Sequence, residues 1–157
     1  IVQWLMGDLN GRDWGHVQIL IIPVLFSICL FIYYASDLDI FLLGEEQAQN
    51  MGISVQRTRN WLLIVASLVT GISVALTGAI GFVGLIVPHM IRMIIGPSHR
   101  YLLPASALGG ATFLILADLI SRLVIRPAEI QIGIITAFFG APFFIYLIVK
   151  NKKKQEV

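Results

Sequence analysis

From Trp61 to Val87 the chain runs for 27 residues without one charged side chain. Lipid can solvate such a stretch and water cannot, yet a helix needs only about 20 residues to cross a hydrocarbon layer of roughly 30 Å. The run is therefore a span followed by something else. Gly78, Gly81 and Gly84 fall where a span starting near Trp61 has already crossed, and they predict a turn. A short helix through Leu85 to Ile95, broken near Pro88, should follow it.

Three more apolar runs repeat the constraint. Val17 to Tyr34 predicts a span through residue 36, with Pro23 tolerated because neighbouring helices satisfy the freed carbonyl. Tyr101 to Ala117 predicts a helix extending to about Leu123, and Ile130 to Val149 a final span. Only 13 % of the residues are charged, against roughly 25 % in soluble domains. The expected fold is all-α, a polytopic membrane helical bundle with about five transmembrane helices and no separate soluble domain. Its single cysteine, Cys29, lies in an apolar run and is expected to be a small buried side chain, so neither a disulfide framework nor a Cys/His metal cluster is predicted.

The polar remainder divides the chain. Residues 1–16, with Trp4, Trp14, Asp8, Arg12 and Asp13, have the make-up of an interfacial segment with aromatic anchors. Residues 17–36, 60–80, 98–123 and 130–149 are spans, 81–97 a turn and short helix, 124–129 an outer turn around Arg126 and Pro127, and 150–157 a lysine-rich tail. Residues 37–59 form the longest polar interlude. Within it Gly44 precedes a short helix from Glu45 to Met51, two acids suit its first turn, and Gly52 is placed to end it in a left-handed cap. Ile1 opens with no charged segment ahead of a cleavable apolar one, so the chain reads as the later part of something longer.

Charge sets the orientation. With the tail inside, alternation puts Arg57, Arg59, Arg92, Arg100 and four lysines in the cytoplasm, and Arg12, Arg122 and Arg126 outside.

Several patterns admit more than one reading. Gly78-Ala-Ile-Gly-Phe-Val-Gly84 has the wrong spacing for a dinucleotide fingerprint and follows no strand, and the chain holds no Gly-Lys-Ser/Thr, so it cannot cradle ATP phosphates by itself. Ala107 with Ala111, and Gly133 with Ala137, have the small-residue spacing of close helix packing. His89 and Arg92 lie three apart near a helix end, an interfacial pair or a functional one; no second ligand at metal spacing accompanies His89. Asp118 and Arg122, four apart, can pair at the membrane edge, either structurally or as part of a site. Gly140-Ala141-Pro142 interrupts the last span and predicts a kink.

These residues carry a resemblance. Trp4-x-Met6-Gly7, Leu43-Gly44-Glu45 with Ala48 and Gly52, Gly78 through Pro88-His89 with Arg92, His99-Arg100 with Leu102-Leu103-Pro104, Ala117-Asp118 with Arg122, Glu129 with Ile132-Gly133, and Gly140-Ala141-Pro142-x-Phe144 resemble the permease subunits of type II ABC importers, a family serving vitamin B12, ferric siderophores and haem. Members are about twice as long, with ten spans, so the chain resembles their C-terminal half.

The resemblance implies a transport subunit rather than an enzyme, in the bacterial cytoplasmic (inner) membrane, carrying a metal chelate inward. Ferric siderophore or haem is the first expectation, with cobalamin and molybdate also carried by relatives. It implies no cofactor on this chain, with ATP and Mg on a partner ATPase. The other partners are a substrate-binding protein at the outer face, a second copy of the full-length permease, and lipid; no nucleic acid is expected. Gly44, Glu45, Glu46, Ala48 and Gly52 match the segment that couples to the ATPase. Arg122, held by Asp118, matches an arginine that docks the binding protein. Gly133, Gly140, Pro142 and Phe144 match a helix beside the translocation pathway, and Gly78, Gly81, Gly84, Pro88, His89 and Arg92 a structural motif. An ion-gradient-driven secondary transporter or channel segment is the alternative, and it calls for a mid-span acid that the chain lacks.

Overall fold

The computed structural model describes residues 7, 9, 11–124 and 130–155, with side chains to 149. The expectations for Trp4, Met6, Asp8, Arg126, Pro127, Glu129 and the tail lysines lie outside the described side chains. Among these residues seven helices follow in order: α1 Trp14–Tyr33, α2 Ala35–Phe41, α3 Glu45–Asn50, α4 Val55–Thr77, α5 Val83–Ile95, α6 His99–Val124 and α7 Ile132–Gln155. Among the described residues four helices are long and apolar enough to cross a membrane, and α5 is a shorter apolar one. The bundle exposes large apolar side chains on its outer faces, Ile22 at 74 % and Leu108 at 72 % among them. Surfaces of that kind are stable only against lipid or another apolar chain.

α6 is the hub, packing against α5, α1, α2 and α7. Small residues let it approach: a Cβ on Gly109 would sit 3.1 Å from Val87 Cγ1 on α5. Ala107 and Ala111, the spacing picked out in the sequence, are exposed on this chain instead. Cys29 is also exposed, on α1, rather than buried.

Residues 37–59 hold far more helix than a loop. Only Tyr34 separates α1 from α2. α4 already begins at Val55, because Val55, Thr58, Leu62 and Val65 bury one helical stripe that runs from the polar segment into the apolar one. The charges on Arg57 and Arg59 masked that stripe in the sequence.

The passage from α4 to α5 is the irregular part of the bundle. α4 stops at Gly78, which takes φ 75°. The next left-handed residue is not a glycine but Phe82, at φ 68°, immediately before α5. Gly84 is the second residue of α5 rather than part of the turn, and α5 continues through Pro88 unbroken. Pro88 stands early enough in the helix that only the carbonyl of Gly84, one turn back, loses its partner. A left-handed Phe costs about 1–2 kcal/mol, and packing holds it there. Its side chain lies on Gly140 of α7, where any Cβ would overlap it. Thirteen residues at about 1.5 Å each make α5 roughly 20 Å long, too short to cross by itself. The turn therefore sits at membrane depth. Gly7 covers it, with the position of a Cβ only 2.7 Å from Ile80 Cγ1 and 3.1 Å from the Ala79 carbonyl oxygen. Ala117, Ile132 and Ile135 form the adjoining buried cluster, with Leu9, Ile80, Leu114 and Ile130 against it. Non-helical backbone at that depth survives only when protein encloses it.

At the opposite end Asp39 of α2 fastens the start of α6. Its carboxylate accepts the His99 backbone N–H at 2.7 Å and the Ser98 hydroxyl at 3.0 Å, and His99 Nδ1 lies 2.6 Å away. Burial by itself raises the pKa of this group, but the hydrogen bonds from His99 and Ser98 outweigh it and hold the carboxyl below the usual carboxylate range. At the other face Asp13 caps α1, accepting the His16 N–H at 3.3 Å.

Gly140→Ala should lower the thermal stability of the purified protein in detergent by about 1–3 kcal/mol, the usual overpacking cost, although alanine is the better helix former. In a Phe82→Ala background that penalty should shrink; an undiminished penalty would show that Phe82 is not the reason for the glycine. Asp39→Asn should cost about 1 kcal/mol near pH 7, as loss of a charged helix cap does. Because the folded pKa is depressed, the wild-type advantage is present above the unfolded pKa of about 3.9 and vanishes as pH falls through the folded one. Thermal midpoints of the two proteins against pH check this, and parallel curves down to pH 3 would contradict it.

Candidate functional site

Two sets of polar residues stand at opposite ends of the bundle, and α6 reaches both. The first is built on α3. Gly44 supplies φ 114° and ψ 152° ahead of Glu45, a conformation closed to most side chains. The helix lasts six residues and closes with Gly52 at φ 83°. There the Ile53 N–H donates to Ala48 O at 3.1 Å and the Gly52 N–H to Gln49 O at 2.9 Å, the paired bonds of a glycine-terminated helix. Glu45 and Glu46 occupy the first turn, where the helix dipole favours acids.

Only one side of α3 faces inward. Ala48 is fully buried, so it seats the helix on its neighbours α2 and α4 rather than presenting itself to a partner. Glu45, Glu46, Gln47, Gln49 and Asn50 face out. Glu45 also pairs with Arg59 of α4. Leu42, Leu43 and Met51 flank this polar face at 54 %, 61 % and 62 % exposure. An acidic helix rimmed by exposed apolar side chains has the make-up of a protein-contact surface.

Beside it lies a groove of about 290 Å³ lined by Tyr34, Asp37, Gly52, Ile53, Ser54, Arg57, Thr58 and Trp61. Arg57 also borders a second hollow with Gln49, Gln56 and Asn60. Sequence reasoning missed both, since each needs the two-helix turn between α2 and α4.

At the other end Arg122 donates from Nε to Asp118 Oδ2 at 2.8 Å, one helical turn apart, as the spacing predicts. Ser121 between them is buried; its hydroxyl donates to Asp118 O at 2.7 Å and its carbonyl accepts the Ile130 N–H at 3.4 Å. The last of these bonds ties the end of α6 to the approach to α7. Arg122 keeps 43 % of its side chain exposed there.

The α7 residues divide. Gly140 is buried beneath Phe82, while Pro142 and Phe144 face outward, and Gly133 is half-buried with its carbonyl accepting the hydroxyl of buried Thr136 at 3.1 Å. The glycine motif and the Gly-Ala-Pro interruption, separate in sequence, thus meet in one contact. His89 is used in packing: its ring stands edge-on to Phe143 of α7, centroids 6.1 Å apart and planes at 74°. Arg92 is exposed, and its carbonyl accepts the Gly96 N–H. No group of three or more His, Cys, Asp or Glu able to hold a metal occurs among the described residues.

Comparison with known proteins agrees with this geometry. A model of the FecCD transport family matches residues 1–150. The cobalamin import system permease protein BtuC of Halobacterium salinarum is 48 % identical over 145 residues, 92 % of this chain and 39 % of that protein. The Fe(3+) dicitrate transport system permease protein FecD of Escherichia coli is 46 % identical, over 95 % of this chain and 47 % of its own length. The hemin transport system permease protein HmuU of Yersinia pestis is 38 % identical over 97 % and 46 % respectively. The chain thus spans about half the length of the relatives it matches, or less. A solved inward-facing conformation of a metal-chelate type ABC transporter superposes with a TM-score of 0.88 at 35 % identity, covering 95 % of this chain and 48 % of the other. With the family's pattern running from residue 1 to 150 over a bundle of this shape, the chain belongs to the FecCD transport family.

Proposed function

We propose that this chain is part of the permease subunit of an ABC importer that carries a metal chelate into the cytoplasm, powered by ATP and Mg on a separate ATPase. One observation carries the reading. α3 is a rigidly closed acidic helix with an exposed apolar rim at one end of the bundle, and the half-exposed Asp118–Arg122 pair stands at the other. A cytoplasmic ATPase and an outer binding protein require two docking surfaces on opposite sides. The excess of lysine and arginine at the α3 end supports a cytoplasmic α3 end and C-terminus in a bacterial inner-membrane protein.

Glu45, Glu46 and the rim then receive the ATPase, with Gly44, Ala48 and Gly52 shaping and seating the helix. Arg122, held in place by Asp118, engages a carboxylate of the binding protein. The pathway runs beside the outward-facing Pro142 and Phe144 of α7, where a second full-length copy completes it. ATP drives transport only as far as the ATPase contacts the outward-facing and inward-facing states differently. Relatives named for cobalamin, Fe(3+) dicitrate and hemin support a metal chelate as the cargo. A ferric siderophore or haem is our first choice, and cobalamin or molybdate the others.

Reconstituting the full-length protein with its ATPase and binding protein should give ATP-dependent uptake of one of these compounds. Uptake driven by an ion gradient without ATP would overturn the reading. Glu45→Lys should weaken ATPase association at least about tenfold, 1.4 kcal/mol, while membrane insertion persists. The swap Glu45→Lys with Arg59→Glu restores the internal pair, an exposed one worth at most about 1 kcal/mol, and should leave association weak. Recovery would mean that Glu45 serves only Arg59. Arg122→Glu should impair binding-protein docking, and reversing the partnering carboxylate should partly restore it; unchanged docking would leave Arg122 a structural partner of Asp118.

A further inference from the structure

The coupling reading leaves a mechanical gap. α3 packs against α2 and α4, whereas α5, α7 and the Asp118–Arg122 pair are reached through α6. We propose that Asp39 is the positioning residue that closes this gap, clamping α2 to the first turn of α6 so that displacement of α3 by the ATPase turns into displacement of α6.

Three observations carry it. Asp39 reaches across about sixty residues of sequence to gather the His99 N–H, the Ser98 hydroxyl and the His99 ring, all within 3.0 Å. The cluster is partly shielded, with 14 % of the His99 side chain and 33 % of that of Asp39 exposed. Hydrogen bonds to an ionised, half-buried carboxylate are roughly twice as strong as neutral ones. α2 lies directly before α3, only Leu42, Leu43 and Gly44 intervening, and all three are held by α2 itself: the Leu42 N–H donates to Asp39 O at 3.2 Å, the Leu43 N–H to Ile40 O at 2.9 Å and the Gly44 N–H to Phe41 O at 3.2 Å. A push on α3 therefore meets no slack before it meets Asp39.

The competing route runs through α4, by way of Glu45 and Arg59. That pair is about half exposed on both sides, and such pairs transmit little because solvent screens them and both side chains can swing. The Asp39 route also ends in the better lever. α6 runs 26 residues from His99 to Val124, packs on α5 and α7, and carries Arg122 in its last turn. One continuous helix thus joins the ATPase end to the binding-protein end.

This inference rests on the importer reading and is tested with the full-length permease, its ATPase and its binding protein in lipid vesicles. ATP hydrolysis, uptake of the transported chelate and co-purification of the ATPase are measured on the same preparations. Asp39→Ala should keep the ATPase bound and ATP turning over, while uptake per ATP hydrolysed falls about fivefold or more, the lower end of coupling energies between sites. Asp39→Asn, which retains an acceptor for the His99 N–H, should fall less. Ser98→Ala, which removes one donor and leaves the carboxylate, should shift the ratio in the same direction and provides the answer should Asp39→Ala not insert. An unchanged ratio in these variants overturns the proposal. So does a parallel loss of hydrolysis, uptake and ATPase binding, which would make Asp39 a residue of folding alone. A wild-type complex in which ATP drives no uptake would instead sink the importer reading, and this inference with it.

Discussion

Peptide groups unwound inside a membrane have no water to bond, and the fold is arranged around the turn between α4 and α5, where two apolar helices meet without a polar residue between them. Between Thr77 and Val83 the backbone leaves the helix, and its neighbours cover part of it, Gly7 against Ala79 and Ile80, Phe82 against Gly140, and the Ala117–Ile132–Ile135 cluster alongside, while Ala79 and Gly81 keep an exposed side. Each contact depends on an absent Cβ or a buried aliphatic group. Association of helices in lipid has no hydrophobic drive of its own and relies on close fit. A left-handed phenylalanine is then the natural consequence, since the ring that fills the space over Gly140 also holds the backbone in its strained form.

The two ends of the bundle use different physics. At the α3 end charge-assisted bonds prevail, with Asp39 holding Ser98 and His99 and Glu45 meeting Arg59. These groups lie outside the spans, where water lets acids ionise and their bonds can be remade. At the other end apolar packing prevails, with Asp118 paired to Arg122 and Asp13 to His16.

Much of this was legible beforehand. The positions of the long helices follow from apolar runs, the start and stop of α3 from Gly44 and Gly52, and the Asp118–Arg122 pair from its spacing, because each depends on neighbours within a few residues. Other features were not. The beginning of α4 at Val55 was hidden by Arg57 and Arg59, the pairing of His89 with Phe143 joins residues far apart in sequence, and the burial of Ala48 turns a candidate contact into a seat. Asp39 looked like one more acid in a polar loop until His99 was found beside it.

The amino-acid sequence by itself determined that this chain lives in lipid, where its long helices and the polar helix lie and which family it joins, since hydropathy, periodicity and motif spacing are local properties. The tertiary structure decided that Phe82 rather than a glycine takes the left-handed turn, why Gly140 has no side chain, and which acid clamps α6. Those choices depend on which surfaces meet after the helices have packed, and the distances that settle them lie between residues some sixty apart.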